Sequence, residues 1–265
     1  MNETSAPATK PLASGIACHI EGSGPALVLL HGGGGSWTHW VRNIPALRSH
    51  HTVYALDMPG FGDSVAVSPD IATEDYVGLV CQALEDIAQR EAIDLCGFSF
   101  GAVNATLVAA RMPKLIRKLA LVAPGGFGRV SPPGTSPRKI EESASEAEKR
   151  EATRHNLLLM MLAHPEPVDD AAIEMQRRNA APARFTTRRF TGSTLTRDNL
   201  WRVRTRTLAI FGALDNLSHP SVYARINPCC SVKPDIRLEV IPNAGHWVQY
   251  EAADAVNRLL IDFFR

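Results

Sequence analysis

Along this 265-residue chain, short, predominantly apolar runs alternate with longer stretches in which apolar residues return every three or four places. The runs ALVLL (26–30), TVYAL (52–56), AIDLCG (92–97), LALVAP (119–124), TLAIFG (207–212) and RLEVIP (237–242) predict strands buried on both faces, since a strand with one wet face would alternate polar and apolar residues. Between them, YVGLVCQALEDIAQR (76–90), AVNATLVAARMP (102–113) and EAADAVNRLLIDFF (251–264) predict helices. That alternation is α/β grammar: a mostly parallel, doubly wound sheet covered by helices. The rhythm breaks once. Roughly eighty residues separate LALVAP from TLAIFG, far more than one crossover needs. This interval opens on the loop GGFGRVSPPGTSP and carries a helical pattern from about 140 to 190. The expected organisation is a core of residues 1–125 and 197–265 with an inserted helical lid, 126–196. No internal repeat or low-complexity tract interrupts it.

Composition narrows the partners. With 45% hydrophobic residues the chain can bury a sizeable core, and 28 Lys and Arg against 27 Asp and Glu leave a net charge of +1. Such a balance recruits neither nucleic acid nor an anionic membrane, so the expected partner is a small-molecule substrate; a homodimer is admitted. The amino terminus MNETSAPATKPLASG has no apolar core of signal-peptide length, and LLLMMLA (157–163) is too short to span a bilayer. Five cysteines, Cys18, Cys81, Cys96, Cys229 and Cys230, form an odd set without zinc-type spacing. The expectation is a soluble, cytoplasmic protein that holds no metal or cofactor.

The chemistry gathers at strand ends. CGFSFGAVNA (96–105) places Ser99 in a G-x-S-x-G pentapeptide between a predicted strand and a predicted helix. At such a turn the serine backbone is strained and any side chain at either flank would collide with its neighbours, which is the reason for Gly97 and Gly101. HGGGGSWTHW (31–40) follows the strand 26–30, Asp215 follows 207–212, and His246, in NAGHW, follows 237–242. The glycine run lacks the spacing of a nucleotide loop.

These ordered motifs resemble the α/β-hydrolase superfamily, from about residue 20 to the end apart from the insertion, and ALDMPGFGDS (55–64) is similar to that family's next loop. The resemblance implies Ser99 as nucleophile, His246 as its base and Asp215 as the acid that orients His246. Asp94 and Glu251 are the weaker rivals for the acid. The oxyanion hole falls to the N–H groups of Phe100 and, by resemblance, Gly33, with Gly32 or Gly34 as alternatives of register. His31 shapes the glycine loop, and His39 is placed at the site entrance. Gly32, Trp37, Arg177 and Trp247 are the remaining candidate substrate contacts.

Nine arginines crowd 177–206 against the single acid Asp198, from the end of the expected lid into the core segment that follows it. Most should face solvent or pair with acids such as Glu141, Glu142 and Glu146. Arg177, four residues after Ile173, shares its helical face and is the candidate anion contact; Arg178 turns away. HGGGGSWTHWVRNIPAL and AGHWVQYEAADAVNRLLIDFF look most like the carbon–carbon bond hydrolases of aromatic degradation. Those enzymes carry Asn just before the serine and a second glycine after it, where this chain has Phe98 and Ala102. A serine hydrolase acting on a small carboxylic ester or related carbonyl compound, through a Ser-His-Asp triad and an acyl-enzyme, is therefore the leading expectation. The alternatives are a carbon–carbon hydrolase and a non-catalytic ligand receptor on the same scaffold.

Overall fold

A computed structural model describes residues 9–128, 136–180 and 185–265. Part of the Gly/Pro loop (129–135), the first eight residues and Arg184 of the arginine cluster lie outside the described residues. In chain order the elements are β1 (Lys10–Pro11), β2 (Ala17–Gly22), β3 (Ala26–Leu30), a 3-10 turn (Trp37–Trp40), α1 (Ile44–Leu47), β4 (Thr52–Leu56), α2 (Thr73–Ala88), β5 (Ile93–Phe98), α3 (Phe100–Arg111) and β6 (Ile116–Val122). Between β6 and β7 come α4 (Glu146–Met160), α5 (Asp170–Ala180), α6 (Arg188–Thr191) and α7 (Leu195–Leu200). The chain closes with β7 (Arg206–Gly212), α8 (Tyr223–Val232), β8 (Arg237–Ile241), α9 (Val248–Glu251) and α10 (Ala253–Phe264).

The eight strands form one sheet in the order β1-β2-β4-β3-β5-β6-β7-β8, antiparallel at β1/β2 and β2/β4 and parallel from β4 onward. Its two faces are read off β3: Val28 and Leu30 point into one apolar layer with Tyr76, Val80 and Val103, while Leu27 and Leu29 point into the other with Ile44, Val256 and Leu260. Both layers are dry around the central strands, which is why those lack polar alternation; β8, at the sheet edge, was expected to be buried on both faces but alternates Arg237 and Glu239 with apolar residues and has no fully buried residue. β2 eluded the sequence pattern because ACHIEG mixes buried Cys18 with exposed Ile20. Pro228 stands inside α8, the residue type that argues against a helix in a sequence.

The strand order positions the site. From β3 the chain moves outward to β4, then returns to β5 on the opposite side of β3, so the loops leaving β3 and β5 diverge at a topological switch point where a crevice must open. Those loops are the glycine run and the Ser99 turn. The cap boundary expected at residue 196 falls inside α7, whose Leu200 belongs to the same core layer as α3. α7 thus behaves as the crossover helix between β6 and β7, and the extra material is α4, α5 and α6.

Ser99 stands at φ 51°, ψ −107°, the left-handed side that disfavours any Cβ. Its flanks are crowded with backbone: a Cβ on Gly97 would sit 2.4 Å from the Gly101 carbonyl oxygen, and one on Gly101 2.3 Å from that of Leu30. Ser99→Gly should therefore be more stable to urea than Ser99→Ala by about 1 kcal/mol, since it releases strain of about 1–3 kcal/mol. Gly101→Ala should lose about 2–4 kcal/mol by forcing β3 and α3 apart. Equal midpoints for the two Ser99 variants would show the turn to be unstrained.

Candidate active site

Ser99 is the N-cap of α3 and is partly accessible, while the residues on both sides of it are buried. His246 Nε2 lies 2.9 Å from Ser99 Oγ, and His246 Nδ1 lies 2.9 Å from Asp215 Oδ2. The carboxylate only accepts, so Nδ1 carries the proton and Nε2 presents its lone pair to the hydroxyl. Burial by itself would raise the Asp215 pKa. The His246 imidazole, the Arg225 guanidinium 3.9 Å away and the Leu217 N–H outweigh it and hold the group down at about 2. The three residues thus form a continuous line from a permanent anion to an accessible hydroxyl.

Two backbone N–H groups on the loops that meet at Ser99 are candidates for the oxyanion. Phe100 N–H opens α3 and has no partner among the described residues, as expected in a first helical turn. Gly33 N–H is likewise unbonded among the described residues. Gly32 N–H is not available, because it donates to His39 Nδ1 at 3.2 Å. Gly32 therefore does not serve as the alternative donor. A Cβ there would meet the Phe98 ring at 2.7 Å, so its role is close packing beside Ser99.

His31 and His39 set this loop. His31 accepts from Met58 N–H through Nε2 at 2.8 Å and, through Nδ1, donates to the Gly32 carbonyl at 2.7 Å. Burial lowers the pKa of His31 to about 4; burial, then the neighbouring His31, lowers that of His39 to about 3. His39 is 1% exposed and sits under the loop, not at the site entrance.

Three of the expected substrate contacts have other partners in the structure. Trp247 is fully buried; its indole N–H donates to the His39 carbonyl and its ring stacks on Tyr250, so it packs the core beneath the His246 loop. Trp37 stacks on His19 of β2, with ring centroids 4.1 Å apart. Arg177 pairs with Glu146 and Glu174. Ala172, Ile173 and Asn179 are the buried residues of α5, and the centre of that arc, at about 100° per residue, is Gln176; Arg177 lies about 100° from it. Ile173 alone gave too little to orient the helix. Gln176 donates to the Gly34 carbonyl at 3.0 Å, and Asn179 accepts from Ser36 and Thr38, so α5 is fastened to the glycine loop by amides that no sequence motif announces.

The rival acids have other duties. Asp94 is fully buried, pairs with Arg117 and lies 3.9 Å from His51. Glu251 accepts from the N–H groups of Gly245, Ala163 and His164 at 2.6, 3.0 and 2.9 Å, tying the end of α4 to the loop that carries His246.

Residues 27–259 match the alpha/beta hydrolase family. The chain belongs to that family. Among curated members, it is 28% identical over 261 residues to a 2-hydroxy-6-oxononadienedioate/2-hydroxy-6-oxononatrienedioate hydrolase of Comamonas testosteroni, covering 91% of this chain and 88% of that one. It is 29% identical over 260 residues to a 2-hydroxy-6-oxo-6-phenylhexa-2,4-dienoate hydrolase of Burkholderia cepacia, with coverage of 91% and 88%. A meta-cleavage product hydrolase from Pseudomonas fluorescens superposes with a TM-score of 0.76 at 22% identity over 96% of both chains, a likeness of fold. This alpha/beta hydrolase is accordingly an enzyme, which sets aside the ligand-receptor alternative. Among the described residues no helix is long and apolar enough to cross a membrane.

Two outcomes follow from the geometry. Asp215→Asn removes the anion that fixes the tautomer and should cut turnover by up to about 10⁴-fold, measured on the folded variant. Glu251→Gln should lower the melting temperature as well as activity, because one amide oxygen cannot serve three N–H groups; a silent Glu251→Gln would show the link to be idle. The buried histidines also dictate a pH response. Below about pH 6.5 the unfolded chain takes up protons that folded His31 and His39 refuse until about 4 and 3, so stability present above pH 6.5 is lost as pH falls toward 4. Asp57, pushed up to about 6 by burial, works in the opposite direction below that value. Urea midpoints at pH 7.5 and 5.0 should therefore differ less for His31→Asn than for the unchanged protein.

Proposed function

We propose that this hydrolase cleaves a small carboxylic ester through an acyl-enzyme on Ser99. The observation that carries the reading is the unbroken line Ser99–His246–Asp215, with both links at 2.9 Å, together with the N–H groups of Phe100 and Gly33, which have no partner among the described residues. His246 Nε2 takes the hydroxyl proton as Ser99 Oγ bonds to the substrate carbonyl carbon, and the charge moves onto the carbonyl oxygen between the two N–H groups. As the C–O bond to the leaving alcohol breaks, His246 returns the proton to it. Water then adds to the acyl carbon with His246 again as base, and the acid leaves as Ser99 is regenerated. Asp215 stays ionised throughout, its low pKa keeping the proton on His246.

Two features favour an ester. The buried ring of Phe98 packs against Gly32 and tilts onto His246, making apolar the wall where the carbon–carbon hydrolases carry Asn. The arginine expected to hold a substrate carboxylate is engaged by Glu146. The second reading, hydrolysis of a carbon–carbon bond in a dienoate, is favoured by the names of the two curated relatives. In either case the insertion serves as the lid and a small molecule is the partner. The five cysteines are free thiols, in keeping with a cytoplasmic location.

A fluorophosphonate probe should label Ser99, and Ser99→Ala should lower hydrolysis on the order of 10⁴-fold or more. Labelling elsewhere, with the alanine variant still active, would overturn both readings. Across a panel of aryl esters beside a 2-hydroxy-6-oxo-dienoate, kcat/KM should be higher for an ester. The reverse order would select carbon–carbon cleavage.

A further inference from the structure

One stretch of the insertion, residues 185–191, touches three core loops around Ser99. Phe185 lies over Gly60, where a Cβ would meet it at 2.9 Å, and stacks on Tyr76 with ring centroids 4.8 Å apart. Thr191 covers Gly125, whose N–H donates to the Ser99 carbonyl, and its own carbonyl accepts from Gly126 N–H at 3.1 Å. Between these anchors Thr187 covers Gly33: a Cβ on that glycine would lie 2.5 Å from Thr187 Oγ1. The hydroxyl therefore occupies the space that any side chain at Gly33 would fill, beside an N–H assigned above to the oxyanion.

The rest of Thr187 is committed elsewhere. Its carbonyl accepts from Phe190 N–H, Thr191 N–H and the Thr191 hydroxyl, and the fully buried Phe190 ring holds this short turn down. At the N-cap of α6 a threonine hydroxyl ordinarily bonds to its own helix; here it makes no capping bond. A donor held by rigid neighbours, turned away from its helix and set against the oxyanion loop is preorganised for an oxygen that arrives with substrate.

We propose that the Thr187 hydroxyl is a third donor to the substrate carbonyl oxygen, supplied by the lid and completing the pocket begun by Gly33 and Phe100. This rests on the oxyanion assignment of the preceding section. The hydroxyl donates a hydrogen bond that shortens as charge grows on the oxygen; no proton is transferred, and Ser99, His246 and water carry every bond change. Its placement on the insertion makes full stabilisation of the oxyanion conditional on the lid being seated.

Thr187→Val keeps the shape and removes the hydroxyl, whereas Thr187→Ser keeps the hydroxyl and removes the methyl. With an aryl ester that the unchanged enzyme turns over, Thr187→Val should lower kcat by about 10²-fold with KM little altered, while Thr187→Ser stays within about 3-fold. Both should unfold at the temperature of the unchanged protein. A role in lid packing alone gives the opposite order, with valine tolerated and serine impaired; that result, or equal losses in both, overturns the proposal. Fluorophosphonate labelling run in parallel separates the two readings. If Ser99 of the unchanged protein is not labelled, the serine-hydrolase assignment has failed; if it is labelled and Thr187→Val matches the unchanged enzyme, only the third donor has failed.

Discussion

A serine held at positive φ between two glycines is the constraint from which the site follows. With Gly97 and Gly101 lacking side chains, the end of β5, the start of α3 and the end of β3 approach until backbone touches backbone. That approach turns Ser99 out of the sheet, puts the first-turn N–H of Phe100, unpartnered among the described residues, next to it in the chain, and brings the glycine loop of β3 alongside. Strain of about 1–3 kcal/mol at one residue is small against the apolar burial of two dry layers. The layers pay for it without a special device.

Because the turn fixes Ser99 absolutely, the partners must be brought to it. Asp215 and His246 leave from β7 and β8, on strands separated from β5 by β6, and both lie in loops whose own backbone is heavily bonded. Leu217 N–H and Arg225 hold the carboxylate; Glu251 holds Gly245; Trp247 N–H donates to the Met161 carbonyl while its indole reaches the His39 carbonyl. The position of His246 is thus shared between the core and the insertion. Loss of order at the end of α4 would reach the imidazole through Gly245 and Trp247.

The sequence pattern was most legible where a single physical cause acts. Dry strands are uniformly apolar, so β3 and β4 are bounded to the residue by their runs, and the elbow, the acid and the base each follow a strand in fixed order. Legibility failed where a residue serves contacts distant in sequence. Trp247 adjoins His246 in the chain, yet its ring belongs to the packing under the loop, and nothing in NAGHW distinguishes those two uses. Arg177 and Gln176 are neighbours on one helix, and the orientation that chooses the amide depends on Glu146, thirty-one positions earlier in the chain, and on Gly34 of the core. The short, polar β2 and the Pro-containing α8 escaped for a simpler reason, since their local preferences contradict the structure that their tertiary contacts impose.

The polar groups that insertion and core exchange at the glycine loop set the order of that loop. Asn179 accepts from Ser36 and Thr38, Gln176 donates to Gly34, and Thr187 presses on Gly33, so α5 and the turn before α6 together grip a loop that has almost no side chains of its own. A glycine loop has the largest conformational entropy to lose. Its order must come from outside it: from His31 and His39 below and from α5 and the turn before α6 above. Seating these inserted elements and shaping the glycine loop are then one event, because the same contacts do both. Were they to lift as a rigid body, Gly33 and Gly34 would be held on one side only, and, since the end of α4 also holds Gly245 and Trp247 through Glu251 and Met161, the His246 loop would lose its support in the same movement.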